Sequence, residues 1–315
     1  MKLKPLQKLR PSQADLSQAA TILGSGGLVA FPTETVYGLG ADARDDTAVA
    51  KIYAAKGRPS FNPLIVHVAD LPAAAKYVTI NDTAKQLAQA FWPGALTLVL
   101  PLRADAAISK LVTAGLDTLA IRIPDHPVGQ GLLAAFDGPI AAPSANPSGR
   151  VSPTTAQHVI AGLDGKIDAV IDGGPCPVGL ESTIVSCAGM PTLLRAGGIP
   201  QEALEACLGH PLASSLDAER PTAPGQLASH YAPNGIVRLN AKSPHAEEAY
   251  LGFGPMQADL SLSPSGDLIE AAANLFDCLH KLDAMGATKI AVAPIPDTGL
   301  GRAINDRLRR AAAPR

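Results

Sequence analysis

Four short polar segments contain the residues with which this chain could do chemistry. Each lies beside a predicted strand end: residues 32–40 (PTETVYGLG), 56–67 (KGRPSFNPLIVH), 141–152 (AAPSANPSGRVS) and 181–195 (from ESTIV to Arg195). They supply cations, hydroxyls, amides and glycines, which are groups that bind anions. Open α/β sheets bind ligands near the ends of their strands, so we expect these segments to supply a ligand site.

The segment 32–40 follows a buried strand and combines Thr33, Glu34 and Thr35 with two glycines. Glycine lacks a Cβ, so backbone N–H groups can approach a ligand closely there. A strand-to-helix loop with its own hydroxyl turns has the same composition. Composition alone leaves both interpretations open.

Two cations, Lys56 and Arg58, flank a predicted helix end, and Pro59 and Pro63 stiffen the chain that follows. A stiff loop loses little freedom when it binds, and an arginine fork beside a lysine point charge suits phosphate. Alternatively, Lys56 only favours the helix C-terminus through the dipole and Arg58 is solvated. His67 lies in an apolar strand, where a hydrogen-bonded core histidine is the alternative to a functional one.

Ser144 and Asn146 are two residues apart and would point the same way in an extended segment. Asn-Pro and Ser-Gly pairs nearby are also ordinary turn residues. The chain has no G-x-S-x-G nucleophile elbow. It also has no Walker motif and no G-x-G-x-x-G, so a nucleotide site would be neither a P-loop nor a Rossmann fingerprint.

The elements that position these segments alternate irregularly between strand and helix. Strands are predicted at 28–31, 64–68, 95–100, 119–124, 139–146, 169–174 and 182–187, and helices at 45–57, 82–91, 126–136 and 154–162. Short connections between strands favour a mixed, twisted sheet over a fully parallel one. Beyond a Pro/Ser/Ala-rich stretch, two strands (235–239, 289–296) and two helices (266–285, 300–312) predict a smaller α/β domain. The domains are therefore 1–208 and 235–315, joined by a linker at 209–234.

Composition narrows the class of protein. The 315 residues are 47% hydrophobic and 17% charged, with a formal net charge of -2. Basic and acidic residues balance in both halves, whereas proteins that grip nucleic acid usually show a basic domain or stripe. Four scattered cysteines without a C-x-x-C pair argue against a disulfide framework and a thiolate zinc site. Without a signal peptide or a membrane-length apolar run, we expect a cytoplasmic protein that does not engage membranes.

In combination and order, the motifs resemble the YrdC/Sua5 family of threonylcarbamoyl-AMP synthases. PTETVYGLG, K-x-R-P-x-x-N-P-L-I-V-H, the S-A-N of PSANPSG, ESTIV and R-x-G carry the resemblance over roughly residues 12–205. SHYAP (229–233) and GLGRAINDRLRRAA near the C-terminus resemble the longer, Sua5-type members, which have an additional C-terminal domain. The resemblance implies an α/β fold: a mixed twisted-sheet YrdC-like catalytic domain and a smaller, Rossmann-like C-terminal domain.

The resemblance also implies a reaction. ATP, L-threonine and bicarbonate would give threonylcarbamoyl-adenylate and pyrophosphate, for threonylcarbamoyladenosine (t6A) modification of tRNA. Mg²⁺ would be held through the phosphates rather than by a protein ligand set. The product would pass to the downstream tRNA threonylcarbamoyl transferase machinery, and we expect no stable tRNA binding.

Matching residue by residue, the resemblance assigns two groups of side chains. The tetrad of Lys56, Arg58, Ser144 and Asn146 would cradle the triphosphate and carry catalysis. ATP would further contact Asn62, Thr118, Ser152, Arg195, His230 and Tyr231. Threonine would lie against Thr35, His67, Arg122 and Ser182, with Arg122 binding its carboxylate. We expect residues 229–233 to form a lid over the nucleotide, the alternative being a passive tether.

Two other functions fit parts of the pattern. Related domains have been viewed as RNA-binding modules with a concave basic surface, although the even charge balance weighs against this. Similar domains also occur in carbamoyltransferases that handle carbamoyl-adenylate, although those chains are larger and fused. The sequence does not indicate the role of the C-terminal domain, the oligomeric state, or a catalytic base.

Overall fold

The computed structural model describes residues 5–59, 61–214 and 229–314. Much of the predicted linker, residues 215–228, lies outside the described residues. Within them, the strands form an eleven-stranded sheet and a separate four-stranded sheet. The predicted combination of a large mixed sheet and a smaller α/β lobe is confirmed. We call these parts the catalytic lobe and the C-terminal lobe.

The strands of the large sheet are short. They are β1 Gln7–Leu9, β2 Val29–Phe31, β3 Gly38–Asp42, β4 Ile65–His67, β5 Leu96–Pro101, β6 Thr118–Arg122, β7 Ile140–Ala141, β8 Ala169–Ile171, β9 Thr183–Ser186, β10 Thr192–Arg195 and β11 Ala213–Ser214. Their order is β1-β8-β2-β3-β7-β4-β6-β5-β9-β10-β11. Parallel pairs such as β4–β6 and antiparallel pairs such as β5–β6 both occur, as expected for a mixed sheet.

The helices of the catalytic lobe pack against this sheet. They are α1 Gln13–Gly24, α2 Asp46–Lys56, α3 Leu71–Ala74, α4 Asp82–Phe91, α5 Lys110–Thr113, α6 Pro127–Phe136, α7 Ala156–Leu163 and α8 Gln201–Leu208. In the described part of the chain, no helix combines the length and apolar character needed to cross a bilayer.

Helix α2 shows how the sequence sets the position of a site loop. The Asp45 carboxylate accepts hydrogen bonds from the N–H groups of Thr47 and Ala48 at 2.8 and 3.2 Å, which caps the helix. Gly57 ends it in the left-handed conformation, with φ +60°, where glycine carries no Cβ penalty. Lys56 therefore lies in the last turn and Arg58 in the loop beyond it.

The segment 32–40 differs from the expected strand-to-helix loop. Its last residues begin β3, which returns antiparallel to β2. A Cβ on Gly40 would lie 2.9 Å from Ile140 Cγ2 and 3.1 Å from the Val29 carbonyl oxygen. Gly40 is therefore required for close packing between strands rather than for access to a ligand.

The C-terminal lobe contains the remaining elements. Its strands β12 Ile236–Arg238, β13 Ala249–Gly252, β14 Leu260–Ser261 and β15 Lys289–Val292 pair in the order β12-β15-β13-β14, and its helices are α9 Leu268–Ala284 and α10 Leu300–Ala312. All three strand pairs are parallel. The core of this lobe also includes Val36, Val151 and Leu180, so the two lobes share buried apolar surface.

Candidate active site

A pocket runs along one face of the large sheet. It extends from His67 and Arg122, at the ends of the paired strands β4 and β6, to Gly38 and Ser144. Successive side chains of a strand alternate between faces, so Ile65 and His67 both point into it. The site therefore lies over the sheet as well as at its strand ends.

Most of the residues predicted from the sequence meet in this pocket. Those that line it are Thr35, Arg58, His67, Arg122, Ser144, Ser182, Arg195, His230 and Tyr231. Apart from Arg122, which ends β6, these residues come from the four polar segments and from residues 229–233, at the end of the predicted linker. The prediction that the segments supply a ligand site agrees with this geometry, while the role of each residue stays a prediction.

Arg122 is held tightly at one end of the pocket. Its Nη2 lies 2.5 Å from Glu34 Oε1, and both side chains are more than nine-tenths buried. Its Nη1 donates to Thr35 Oγ1 at 2.8 Å and its Nε to the Gly94 carbonyl at 3.1 Å. A ligand carboxylate that binds Arg122 would therefore meet a guanidinium already oriented by three partners, one of them anionic.

His67 is a neutral imidazole in this setting. It is buried, and burial together with the charge of Arg122 lowers its pKa to about 3. Its ring meets Phe31 edge-on with centroids 6.1 Å apart. His67 Nδ1 has no hydrogen-bond partner among the described residues, so a polar ligand atom would satisfy it.

Lys56 is buried beneath the pocket rather than lining it. Its Nζ donates to the carbonyl oxygens of Ser144 and Asn146, the first at 2.5 Å. Burial, and next the charge of Arg58, lower its pKa well below the ordinary value. Lys56 therefore fastens the end of α2 to the S-A-N loop, so it does more than favour the helix C-terminus through the dipole.

Two arginines supply positive charge to the pocket wall. Arg58 Nη2 donates to the Pro63 carbonyl at 3.1 Å, and burial lowers the Arg58 pKa to about 10. Arg195 donates through Nη2 to the Ser182 carbonyl at 2.8 Å and to Ser182 Oγ at 3.2 Å. Both guanidinium groups remain cationic at neutral pH, so this wall favours an anion.

The other predicted residues lie around the pocket without lining it. Asn146 donates to the carbonyls of Pro147 and Arg150, each at 2.9 Å. The Asn62 carbonyl accepts from Tyr53 at 3.2 Å. Thr118 begins β6 and, four residues from Arg122, shares its face of the strand.

Sequence reasoning missed two carboxylates. Glu34 pairs with Arg122, and Glu181 lines the pocket. Glu181 accepts from Ser152 Oγ at 2.5 Å and from Arg307 Nε at 2.8 Å. Both carboxylates lie inside the quoted motifs, beside Thr35 and Ser182, but their partners are 88 and 126 positions away, and no local pattern encodes such pairs.

His230 and Tyr231 close the pocket from the side of the C-terminal lobe. The His230 N–H donates to the Arg310 carbonyl at 3.2 Å, and the Ala232 N–H donates to the Gly149 carbonyl at 2.9 Å. The Tyr231 ring stacks on Phe276 of α9 with centroids 5.6 Å apart. The segment 229–233 thus contacts both lobes at the pocket.

Among the described residues, no group of three or more His, Cys, Asp or Glu side chains is arranged to hold a metal ion. Glu181, which lines the pocket, and Glu34, which lies between the lining residues Thr33 and Thr35, are each ion-paired with an arginine.

Two family models match the chain. The Sua5/YciO/YrdC model, described as "Telomere recombination", matches residues 21–197. The model described as "Threonylcarbamoyl-AMP synthase, C-terminal domain" matches residues 199–313. The boundary between the two family models lies before α8. The sequence composition instead predicts that the first domain ends at residue 208, after α8, and this domain boundary stays a prediction.

Relatives named threonylcarbamoyl-AMP synthase resemble the chain over nearly its full length. Threonylcarbamoyl-AMP synthase of Bacillus subtilis is 44% identical, over 98% of this chain and 96% of the relative. That of Pyrococcus abyssi is 40% identical, over 93% of each. The crystal structure of P. abyssi Sua5 complexed with L-threonine superposes with a TM-score of 0.89 at 37% identity, covering 98% of both chains.

Proposed function

The chain belongs to the Sua5/YciO/YrdC family and carries the Sua5 C-terminal domain, and on that premise we propose that it is a threonylcarbamoyl-AMP synthase. It converts ATP and L-threonine, with bicarbonate as the proposed third substrate, into threonylcarbamoyl-AMP and pyrophosphate. The product serves t6A modification of tRNA.

One observation supports this assignment above the others: a single pocket contains two anion-binding groups. Arg58 and Arg195 would face the phosphates of ATP, while Arg122, Thr35 and Ser182 would hold the carboxylate and hydroxyl of threonine. A guanidinium can donate two parallel hydrogen bonds to a carboxylate. The pocket therefore suits the joining of two anionic substrates.

The chemistry requires little from the protein beyond this placement. The threonine amine forms a carbamate, either with carbon dioxide and loss of a proton or with bicarbonate and loss of water. A carbamate oxygen then attacks the α-phosphorus. A bond forms between the carbamate oxygen and the α-phosphorus. The bond between the α-phosphorus and the oxygen that bridges to the β-phosphate breaks, and pyrophosphate leaves. The attacking group is already an anion, so catalysis rests on alignment and on neutralising phosphate charge.

Mg²⁺ enters, in this proposal, as part of the MgATP substrate. Mg²⁺ commonly binds to substrate phosphates and retains several waters. The ion pairing of Glu34 and Glu181 fits that role, because neither carboxylate is left for the metal.

Residues 229–233 act as a lid in the same proposal. His230 and Tyr231 line the pocket and can stack on or hydrogen-bond a nucleotide. A mixed carbamic-phosphoric anhydride hydrolyses readily, so exclusion of water would protect it until a downstream tRNA threonylcarbamoyl transferase consumes it. A lid role would explain why His230 and Tyr231, which lie outside the catalytic lobe, line the pocket.

The test is the identity of the released phosphate. We expect pyrophosphate, and only when threonine and bicarbonate are both present with MgATP, with threonylcarbamoyl-AMP detected by mass spectrometry. Formation of ADP and orthophosphate without threonine would overturn the proposal.

A further inference from the structure

One arginine of the last helix, α10, is buried against the catalytic lobe. Arg307 is 0% exposed, and its Nε donates to Glu181 Oε2 at 2.8 Å. Its Nη1 donates to Asp306 Oδ2 at 2.8 Å, and Asp306 is shared with Arg310. The guanidinium also lies 5.2 Å from the centre of the Tyr231 ring. Arg307 thus forms a buried ion pair between the two lobes. Buried ion pairs seldom add stability, so this pair suggests a role other than stabilising the fold.

Its partner, Glu181, lies in the wall of the pocket that contains Arg58 and Arg195. Burial alone would raise the Glu181 pKa, but the charges of Arg307 and then Arg195, with the hydrogen bond from Ser152, bring it below the ordinary value. Glu181 is therefore a carboxylate at neutral pH. It adds negative charge to a wall that otherwise favours anions.

An uncompensated carboxylate there would repel the phosphates of ATP, and more strongly than in water because the surroundings are less polar. Arg307 approaches Glu181 from the C-terminal lobe and does not itself line the pocket. Its Nε holds one carboxylate oxygen while Ser152 Oγ holds the other at 2.5 Å. The positive charge of Arg307 thus offsets the negative charge of Glu181, while the Arg307 side chain stays out of the pocket volume that a ligand would fill.

We propose that Arg307 is a positioning residue for ATP, which acts through Glu181 by neutralising its charge and fixing its orientation in the pocket wall. The C-terminal lobe thereby sets the affinity of the nucleotide site. This inference rests on the proposed ATP-dependent function. It assigns a specific task to a lobe whose role the sequence does not indicate.

The same helix offers a matched control. Arg302 also forms an ion pair with a glutamate of the catalytic lobe, with Nη2 3.0 Å from Glu202 Oε1. Both side chains of that pair are 40% or more exposed, and neither lines the pocket. Arg302→Gln removes an interlobe ion pair of the same kind without altering the charge beside Glu181.

The experiment measures MgATP binding by calorimetry in the full chain. We expect Arg307→Gln to weaken binding by about tenfold or more and to raise the KM for ATP far more than that for threonine. In a Glu181→Gln background the same substitution should change binding by no more than about threefold, because the charge that Arg307 offsets is gone. Arg302→Gln should stay within about twofold of the wild type.

An Arg307→Gln effect that is equally large with Gln at position 181 would overturn the proposal, as would an equal effect of Arg302→Gln. If Arg307→Gln does not fold, the same comparison uses Arg307→Lys, which keeps the charge: binding within about threefold of the wild type supports neutralisation, and a loss of about tenfold or more that persists with Gln at position 181 contradicts the proposal. A wild-type protein that binds MgATP but makes no threonylcarbamoyl-AMP would contradict the proposed function alone. One that does not bind MgATP would overturn both.

Discussion

At the scale of single residues, Lys56 and Arg58 show how two neighbouring cations take different roles. Lys56 is buried and bonded to two backbone carbonyls of the S-A-N loop. Arg58 is half-buried and lines the pocket. Alanine substitution should therefore have different consequences at the two positions, although the sequence resemblance assigns both cations to the same triphosphate-binding tetrad.

We expect Arg58→Ala to lower kcat/KM roughly 10- to 150-fold, the cost of one charge-assisted phosphate contact, while the free energy of unfolding changes by no more than about 1 kcal/mol. Lys56→Ala should lower activity and also destabilise the fold by about 2 kcal/mol, because two carbonyls lose their donor. Urea unfolding and steady-state kinetics measure both quantities. Near-normal kinetics of Arg58→Ala would show that Arg58 is only a helix-end residue.

Contiguous motifs revealed most residues of the pocket, because a ligand-binding loop keeps its functional types close together in sequence. Arg58 with His67 in one motif, and His230 with Tyr231 in another, are examples. Long-range partners were not predictable. Nothing in the sequence around Arg307 indicates that it reaches Glu181, since the contact depends on how the two lobes pack.

At the scale of elements, the end of α2 determines where Arg58 points. Gly57 has φ +60°, and a Cβ there would meet nothing within 4 Å. Alanine at position 57 would therefore have an unfavourable backbone conformation, but its Cβ would not clash with any neighbour. Gly209 gives a matched comparison, because it ends α8 at φ +77° with the same open space and lies away from the pocket.

Gly57→Ala and Gly209→Ala should each lower the free energy of unfolding by about 1 kcal/mol, the cost of placing a Cβ in the left-handed region. Only Gly57→Ala should also lower kcat/KM, because relief of that strain would move Arg58. Chemical denaturation and kinetics of the two variants give the comparison. Equal activity in both would mean that the helix end does not set the position of Arg58.

Helices α2, α4, α9 and α10 lie close to the ranges predicted from the sequence, 45–57, 82–91, 266–285 and 300–312, and in the structure Asp45, Asn81 and Asp267 cap the first three. The strand β3 was missed. Its residues 38–42 include two glycines, which usually disfavour strands, and here the close approach of Ile140 and Phe31 outweighs that preference.

At the scale of the whole molecule, the two lobes meet through a pair of stacked histidines. His158 of α7 and His280 of α9 have ring centroids 3.8 Å apart at an interplanar angle of 17°. His280 Nε2 donates to the Ser152 carbonyl at 3.1 Å. Asp277 lies 3.6 Å from His158 and is paired with Lys281 at 2.6 Å. The contact is therefore sensitive to added positive charge.

The pH dependence of stability follows from this contact. Burial, and next the neighbouring His280, lower the His158 pKa from 6.5 to about 4. The folded protein therefore resists protonation that the unfolded chain accepts, so stability is lost as pH falls from about 6.5 towards 4. The His158 contribution to that loss is about 2 kcal/mol between pH 7 and 5. His67 and His230, each with a pKa lowered to about 3, add to the loss.

We therefore expect His158→Gln to flatten the decline in unfolding free energy between pH 7 and 5 by about 2 kcal/mol, because glutamine can fill much of the same space without taking up a proton. His210→Gln is the control, since His210 is exposed on the catalytic lobe and should leave the wild-type slope unchanged. Urea denaturation at a series of pH values measures the slopes. If His158→Gln and wild type decline in parallel, protonation of His158 does not govern acid sensitivity, and the other histidines whose pKa is lowered must account for it, namely His67, His126, His230 and His280.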